Sequence, residues 1–410
     1  MGAGSNLPAV GEYNQTVILD AIRRSTEGVS RVEVSASTGL SAQTVTNIVR
    51  RLIDDGLVVE DGTRGVSVGK PRTILRLQPD ARFAIGLHLD PSVITVVLLD
   101  LCGRVVARRA FSTAPEASAS RTLERIIQAV VSIRDEAQVA PESLIGVGVA
   151  APGPIDVASG VVLNPPLLPG WRDVPVRDEI ARALGLPVLL EKDVTAAVIA
   201  ERWVDTAAER DNMVFLYCGT GVGVGVVSGG EVLRGFSGNA GDIGDLILGD
   251  VSGEAHGVAP ARRGRLGWAL SPVLMVEEAR ARGVSVADPA VLASTELAAE
   301  HARLIDMRDD PRVDDLVDRI VTDVAQAALI LVNLFDVEYL VFGGPYFTPL
   351  SRHLLARVPP LVTGSPLYRL PHPVQFRESA VGEDVAAVGA ACLVLDHAIT
   401  PRSQSLLIRR

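Results

Sequence analysis

The sequence predicts an α/β protein in two parts, an N-terminal winged helix-turn-helix followed by a two-lobed α/β body. Three observations carry this. Residues 31–52 have the spacing of two short helices about a central glycine. Directly after them, two β-patterned runs flank a glycine-rich basic loop. From Ala84 onward, apolar strands alternate with amphipathic helices. The 410 residues suffice for two or three domains.

The first part reads element by element. Asn14 to Ser25 (NQTVILDAIRRS) places Val17, Ile18, Ala21 and Ile22 on one helical face. In RVEVSASTGLSAQTVTNIVRRL, Gly39 falls where the tight turn needs a positive φ. Val34, Leu40, Val45 and Ile48 are spaced to meet in one small core. With these inside, Ser41, Gln43, Thr44, Thr46, Asn47 and Arg50 face outward from the second helix. Their amides, hydroxyls and guanidinium are groups that hydrogen-bond base edges or phosphates in a major groove. Residues 57–59 and 73–77 are expected as wing strands. Gly62, Gly65 and Gly69 lie between them, with Arg64, Lys70 and Arg72 placed to touch phosphate or enter a minor groove. A plain hairpin with solvated charges has the same composition; its position beside the helices favours a wing. The implied partner is operator DNA.

Charge restricts how such a surface works. The chain carries a net −10, yet residues 1–80 hold nine Lys and Arg against nine Asp and Glu, so the acidity belongs to the body. Arg50, Arg51, Arg64, Lys70, Arg72 and Arg76 cluster on the second helix and wing, a local basic footprint. Few phosphate contacts per chain imply that tight binding needs two copies. Cys102, Cys218 and Cys392 are far apart and form neither a metal spacing nor a disulfide framework. No charge-free run of about 18 apolar residues and no signal segment is present, so a cytoplasmic protein without a membrane partner is expected.

Pro79 and Asp80 mark a linker, which divides the chain into residues 1–79, a body at 80–400 and a tail at 401–410. In the body, AIGLHL, SVITVVLLDL and GRVVARRAF read as consecutive strands. Ser118 to Gln138 is a helix with Leu123, Ile126, Ile127, Val130 and Ile133 on one face. LIGVGVAAPG is a buried strand, Arg177–Leu184 a helix, PVLLEKD a strand and Val194–Asp205 a helix. MVFLYCGTGVGVGVVSGGEVLRG is a glycine-rich hairpin, Asp314–Leu334 a long helix and YLVFGG a strand. These elements make two lobes with a cleft near residues 190–245. The glycines of CGTGVGVGVV suit a backbone cradle for phosphate equally with a structural hairpin.

The order GVGVAAPGPID, LNPPLLPGW, EKDVTAAVIAE, GTGVGVGVVSGGEVLRGFSGNAGDIGD and LVFGG, behind a winged helix, resembles the repressor, ORF and kinase (ROK) family. Within it the chain looks like the DNA-binding transcriptional regulators, such as repressors of xylose and N-acetylglucosamine genes. The resemblance implies an actin-like or hexokinase-like ATPase fold, a sugar effector in the cleft and assembly as a homodimer or homotetramer. It places the sugar contacts on Asn164, Asp193 and Asp242, with Asp245 beside them. Carboxylates and a carboxamide are chemically apt to hold several hydroxyls at once.

Departures from the family's pattern point away from catalysis. Where its kinases have D-x-G-G-T, this chain has GLHLDPSVIT, with His88 in the aspartate's place and no glycine pair. Asp245 replaces the histidine of the family's zinc site, the three cysteines are missing, and nearby His256 alone cannot make a four-ligand site. Gly267 stands for a glutamate and Lys192 for an asparagine. The expected protein is a non-enzymatic repressor of carbohydrate genes with neither metal nor cofactor. A sugar kinase with a DNA-binding appendage and a ligand-independent regulator are the alternatives.

Overall fold

The computed structural model describes residues 7–65, 71–113, 118–204, 211–248, 264–307 and 309–399. Helix α1 (Leu7–Arg23) starts earlier than the sequence predicts, because Gly11 weakens a helix without stopping it. It buries Ile18, Leu19 and Ile22, whereas Val17 lies at the margin of the core. The two-residue strand β1 (Val29–Ser30) leads into α2 (Arg31–Thr38). A capping box closes the start of α2. Ser30 Oγ accepts from the Glu33 N–H, and the Glu33 carboxylate accepts from the Ser30 N–H at 2.7 Å. Gly39 ends the helix at φ 71°, as the turn requires. Helix α3 (Ala42–Asp54) turns Val45, Ile48, Val49 and Leu52 inward. Leu40 is only half-buried. Strands β2 (Val58–Arg64) and β3 (Arg72–Leu77) pair antiparallel, and β1 joins β3 to complete the wing sheet.

The expected linker is a hydrogen-bonded turn. Residues Pro79–Ala81 form a 3₁₀ turn in which the Pro79 carbonyl accepts from Leu101 N–H at 2.9 Å. The apolar interior around Ile18, Leu52 and Leu75 continues into the body through Leu101, Trp203 and Leu393.

The body contains two five-stranded sheets with the same internal order. The first is β4 (Phe83–Leu89), β5 (Val93–Asp100), β6 (Val105–Ser112), β7 (Leu144–Ala151) and, after the short pair β8 (Ile155–Asp156) and β9 (Val161–Val162), β10 (Val188–Lys192). Helices α4 (Ala119–Glu136) and α5 (Val176–Leu184) belong to this lobe, and α6 (Asp193–Val204) leaves its last strand. The second lobe has β11 (Met213–Cys218), β12 (Val222–Ser228) and β13 (Glu231–Val232). Helices α7 (Leu266–Ala269), α8 (Pro272–Ala281), α9 (Ser294–Asp306) and α10 (Pro311–Phe335) follow. Strand β14 (Tyr339–Gly343), α11 (Ser351–Thr363) and β15 (Gln375–Glu378) complete it, and α12 (Val385–Ile399) returns to pack on β4 and β7 of the first sheet. The orders β6-β5-β4-β7-β10 and β13-β12-β11-β14-β15 are the same path, an antiparallel three-strand meander followed by two parallel strands.

Helices α6 and α12, each leaving its own lobe's last strand, cross between the sheets. Their contact is backbone on backbone. A Cβ at Gly389 would stand 1.7 Å from the Ala196 carbonyl oxygen, and α6 lies as close on β12, where a Cβ at Gly225 would stand 2.4 Å from the Val194 carbonyl oxygen. This explains two glycines of CGTGVGVGVV: Gly223 and Gly225 let the first turn of α6 lie flat on β12. Among the described residues no helix is long and apolar enough to cross a membrane.

Candidate functional site: a recognition helix and an interlobe cleft

The outward face of α3 divides by what its side chains already do. Ser41 caps the helix, its Oγ accepting from Thr44 N–H at 3.2 Å and lying 2.8 Å from Thr44 Oγ1. Thr46 Oγ1 donates back to the Ala42 carbonyl at 2.8 Å. These three hydroxyls are engaged with the helix itself. Gln43, Asn47 and Arg50 are exposed and make no hydrogen bond to the described residues. They recur every three or four positions, so they form one row along the helix.

The wing's cations are engaged. Arg64 Nη2 donates to the Glu27 and Gly28 carbonyls at 3.2 and 3.1 Å and Nη1 to Glu33, while Arg72 sits 3.9 Å from the same carboxylate. Backbone and side-chain hydrogen bonds from Ser30, then Arg64 and Arg72, hold the Glu33 carboxyl below its ordinary range. Arg51 is tied to Gln15 at 2.7 Å, and Arg76 to Asp61 and to the Thr26 and Glu27 carbonyls. The basic cluster legible in the sequence is thus mostly paired, with Arg50 its unengaged member on α3. Exposed pairs of this kind are worth about 0–1 kcal/mol, so a phosphate can displace Glu33 from Arg72. Three hydrogen bonds make Arg64 an anchor of the wing. Lys70 lies outside the described residues.

The second site is a cleft of about 570 Å³ lined from both lobes. Asp193, Asp242 and Asp245 are brought together in its wall. Asn164 is not: it stands exposed on its loop while the neighbouring Pro166 and Leu167 reach the wall. Asp193 opens α6, and its Oδ1 accepts from Val194 N–H at 2.7 Å. Burial pushes its carboxyl above the ordinary carboxylate range, against the opposing pull of His88 and Lys192. The Tyr217 hydroxyl lies 3.4 Å from His88 Nε2, and burial raises this phenol well above its usual range. Asp242 follows the bend opposite Gly223, and its Oδ1 accepts from the Gly244 N–H. Asp245 pairs with Arg265 at 2.5 Å.

Two interlobe fastenings were not legible in the sequence. Asp90, in the β4–β5 turn, accepts from Thr220 Oγ1 at 2.6 Å and from Ser92 N–H at 2.8 Å, and Ser92 Oγ meets Thr220 Oγ1 at 2.9 Å. The β4–β5 and β11–β12 turns are thereby joined around a carboxylate. Its only sequence signal was an Asp-Pro at a strand end. On the other side, Lys192 Nζ donates to the Asn239 and Ala240 carbonyls at 3.1 and 3.2 Å, and Asn239 makes two bonds to the Ile155 backbone, at 2.8 and 2.7 Å. Lys192 is spent on this clamp.

The far end of the wall is Trp268, with Arg319 stacked 4.3 Å from its ring centre and held in turn by both oxygens of buried Glu278. Gly267 fits against Gly244 there, where a Cβ would approach the Gly244 carbonyl oxygen to 2.8 Å. No cluster of three or more His, Cys, Asp or Glu suited to a metal occurs among the described residues, and His256 lies outside them.

Comparison with known proteins follows the same division. A model of the ROK family matches residues 84–397, and one of the MarR family matches residues 12–65. The xylose repressor of Bacillus subtilis (strain 168) is 28% identical over 242 residues, 58% of this chain and 61% of that protein. The chain thus spans about three fifths of the length of the curated xylose repressors it matches. A glucokinase of Thermotoga maritima is 26% identical over 325 residues, 76% of this chain and 97% of that enzyme. A crystal structure of a ROK family transcriptional regulator, a homolog of the E. coli MLC protein, shares the fold with a TM-score of 0.73. It covers 95% of this chain and 98% of its own at 22% identity.

Proposed function

The chain belongs to the ROK family, and from that premise we propose that it is a DNA-binding transcriptional regulator, a repressor whose body senses a sugar or sugar derivative. One observation carries the reading: a helix with the unengaged row Gln43, Asn47 and Arg50 shares a chain with a carboxylate-lined cleft. Gln43 and Asn47 read base edges, while Arg50 and Arg72 contact phosphate. Asp193 and Asp242 accept hydrogen bonds from sugar hydroxyls. Asp245 and Arg265 bound the end of the cleft beside Trp268. Two copies bind one operator through paired half-sites. Ligand binding changes operator affinity by the ratio of its affinities for the two arrangements of the chain. Repression of carbohydrate genes accords with the xylose repressors among the relatives.

Phosphoryl transfer is the second reading, favoured by the glucokinase relatives and by the placement of Asp193. Asp90 weighs against it. A nucleotide phosphate entering between the two joined turns meets this carboxylate, and the Thr220 N–H and hydroxyl already donate to it. The test has three arms on the full chain: selection of duplexes from a random DNA pool, thermal-shift measurement with neutral sugars and phosphosugars, and an ATP–magnesium assay with the same sugars. The reading expects a selected duplex, a stabilising sugar and no sugar-dependent ATP turnover. Turnover that is lost in Asp193→Ala would replace the regulator with the kinase.

A further inference from the structure

We propose that Trp203 and Arg23 are the positioning residues through which the state of the cleft reaches the recognition helix; the proposal rests on the reading of Asp193 as a ligand contact. One helix spans the distance. Asp193 in the cleft wall is the first residue of α6, and Trp203 is next to its last. At 1.5 Å per residue the helix is roughly 18 Å long. Its residues Val194 to Glu201 are all buried, as is Trp203. Gly225 and Gly389 press backbone to backbone on its first turn. A close-packed helix without slack moves as a body, so displacement at Asp193 appears at Trp203.

Trp203 meets the winged helix directly. On one side its indole fills the space over Gly103, where a Cβ would lie 2.3 Å from Nε1. On the other, the guanidinium of Arg23, the last residue of α1, stacks 4.1 Å from the ring centre and donates to the Trp203 carbonyl at 3.3 Å. Asp20 fixes Arg23 at 2.8 Å, and the Arg23 side chain is 8% exposed. From α1 the path continues to α3 through the Gln15–Arg51 hydrogen bond and the shared core of Ile18, Ile22, Val45 and Ile48. Beside the joint lies a cavity of about 520 Å³, bordered by Arg24, Arg202 and Asp396, into which the joint has room to move. The elements therefore form one contiguous series of contacts from the cleft to the face carrying Gln43 and Asn47.

Coupling between sites is reciprocal, so DNA serves as the probe in place of an unidentified sugar. A duplex selected from a random pool by the full wild-type chain is added at saturation. Hydrogen exchange is followed in peptides spanning residues 193–204. We expect the duplex to change exchange there in the wild type. In Arg23→Ala the same duplex binds within about twofold of wild type, since the joint is remote from the contact face, and the change at residues 193–204 disappears. Arg23→Lys, which keeps the charge without the planar stack, gives an intermediate change and serves as the variant of record should Arg23→Ala melt below the assay temperature. An unchanged α6 in the DNA-bound wild type, or an equal change in wild type and Arg23→Ala, overturns the coupling while leaving the regulator reading intact. A chain that selects no duplex overturns both.

Discussion

Acidification loosens this fold at His301, on α9 behind the fastening of the two turns. The residue is 1% exposed, both ring nitrogens lack a hydrogen-bond partner among the described residues, and its ring meets Tyr346 edge-on at 6.0 Å. Burial lowers its pKa from 6.5 to about 4. Well above pH 6.5 the ring is neutral in both the folded and the unfolded chain, and nothing is lost. As pH falls from 6.5 toward 4, the unfolded chain takes up a proton that the folded one refuses, so stability declines. Below about 4 both forms are protonated and the loss levels off. At about 1.4 kcal/mol for each tenfold change in proton affinity, the full loss is about 3 kcal/mol, and at pH 5 it is about 2 kcal/mol. His301→Phe keeps an aromatic ring against Tyr346 and has no proton to gain. Urea denaturation of both proteins from pH 8 to pH 5 isolates the effect, because the carboxylates are common to them. The wild type should lose about 2 kcal/mol more than the variant over that range. Parallel pH profiles would refute the argument and would mean that water or a rearranged partner reaches the imidazole.

Other outcomes follow from the same contacts. Gln43→Ala or Asn47→Ala should weaken operator binding by about 1–3 kcal/mol if the residue makes a bidentate base contact. Arg50→Ala should weaken binding to every duplex and reduce the salt slope by about one; anisotropy titrations at several salt concentrations separate the two effects. Asp193→Ala should abolish the thermal shift given by any sugar that stabilises the wild type, a shift worth about 2.7 kcal/mol at a hundredfold excess over Kd. Gly389→Ala drives a methyl into the Ala196 carbonyl and should destabilise by about 1–3 kcal/mol in urea denaturation; an unaffected midpoint would show that α6 and α12 can part without cost. Elemental analysis should find no stoichiometric zinc, and a chelator should leave Tm unchanged. About one zinc per chain would send the search for ligands to His256 and its surroundings.

Short-range pattern made much of this protein legible from its residues alone. Gly39, the serine before α3 and the apolar spacing of Val34, Val45 and Ile48 act within one or two helical turns, so their consequences follow from neighbours in the chain. The strands of both lobes were readable for the same reason, apart from Ile155–Asp156, Val161–Val162 and Gln375–Glu378, too short to show a period. Topology settled the rest. Arg64, Arg72 and Arg76 look alike in sequence, yet the return of the hairpin over α2 places Glu33 and the Glu27 carbonyl where those cations sit. Asp90 meets Thr220 across 130 positions and Arg23 meets Trp203 across 180. No periodicity records such distances, because they arise where elements far apart in the chain meet in the closed fold. Asn164 shows the converse: a motif assigns a residue type to a loop, but the path of that loop decides which side chain reaches the cleft, and here Pro166 and Leu167 reach it instead. The glycines between Gly219 and Gly225 were equally open to phosphate or packing. At Gly223 and Gly225 the packing comes from the first turn of α6, which only a closed fold brings against β12.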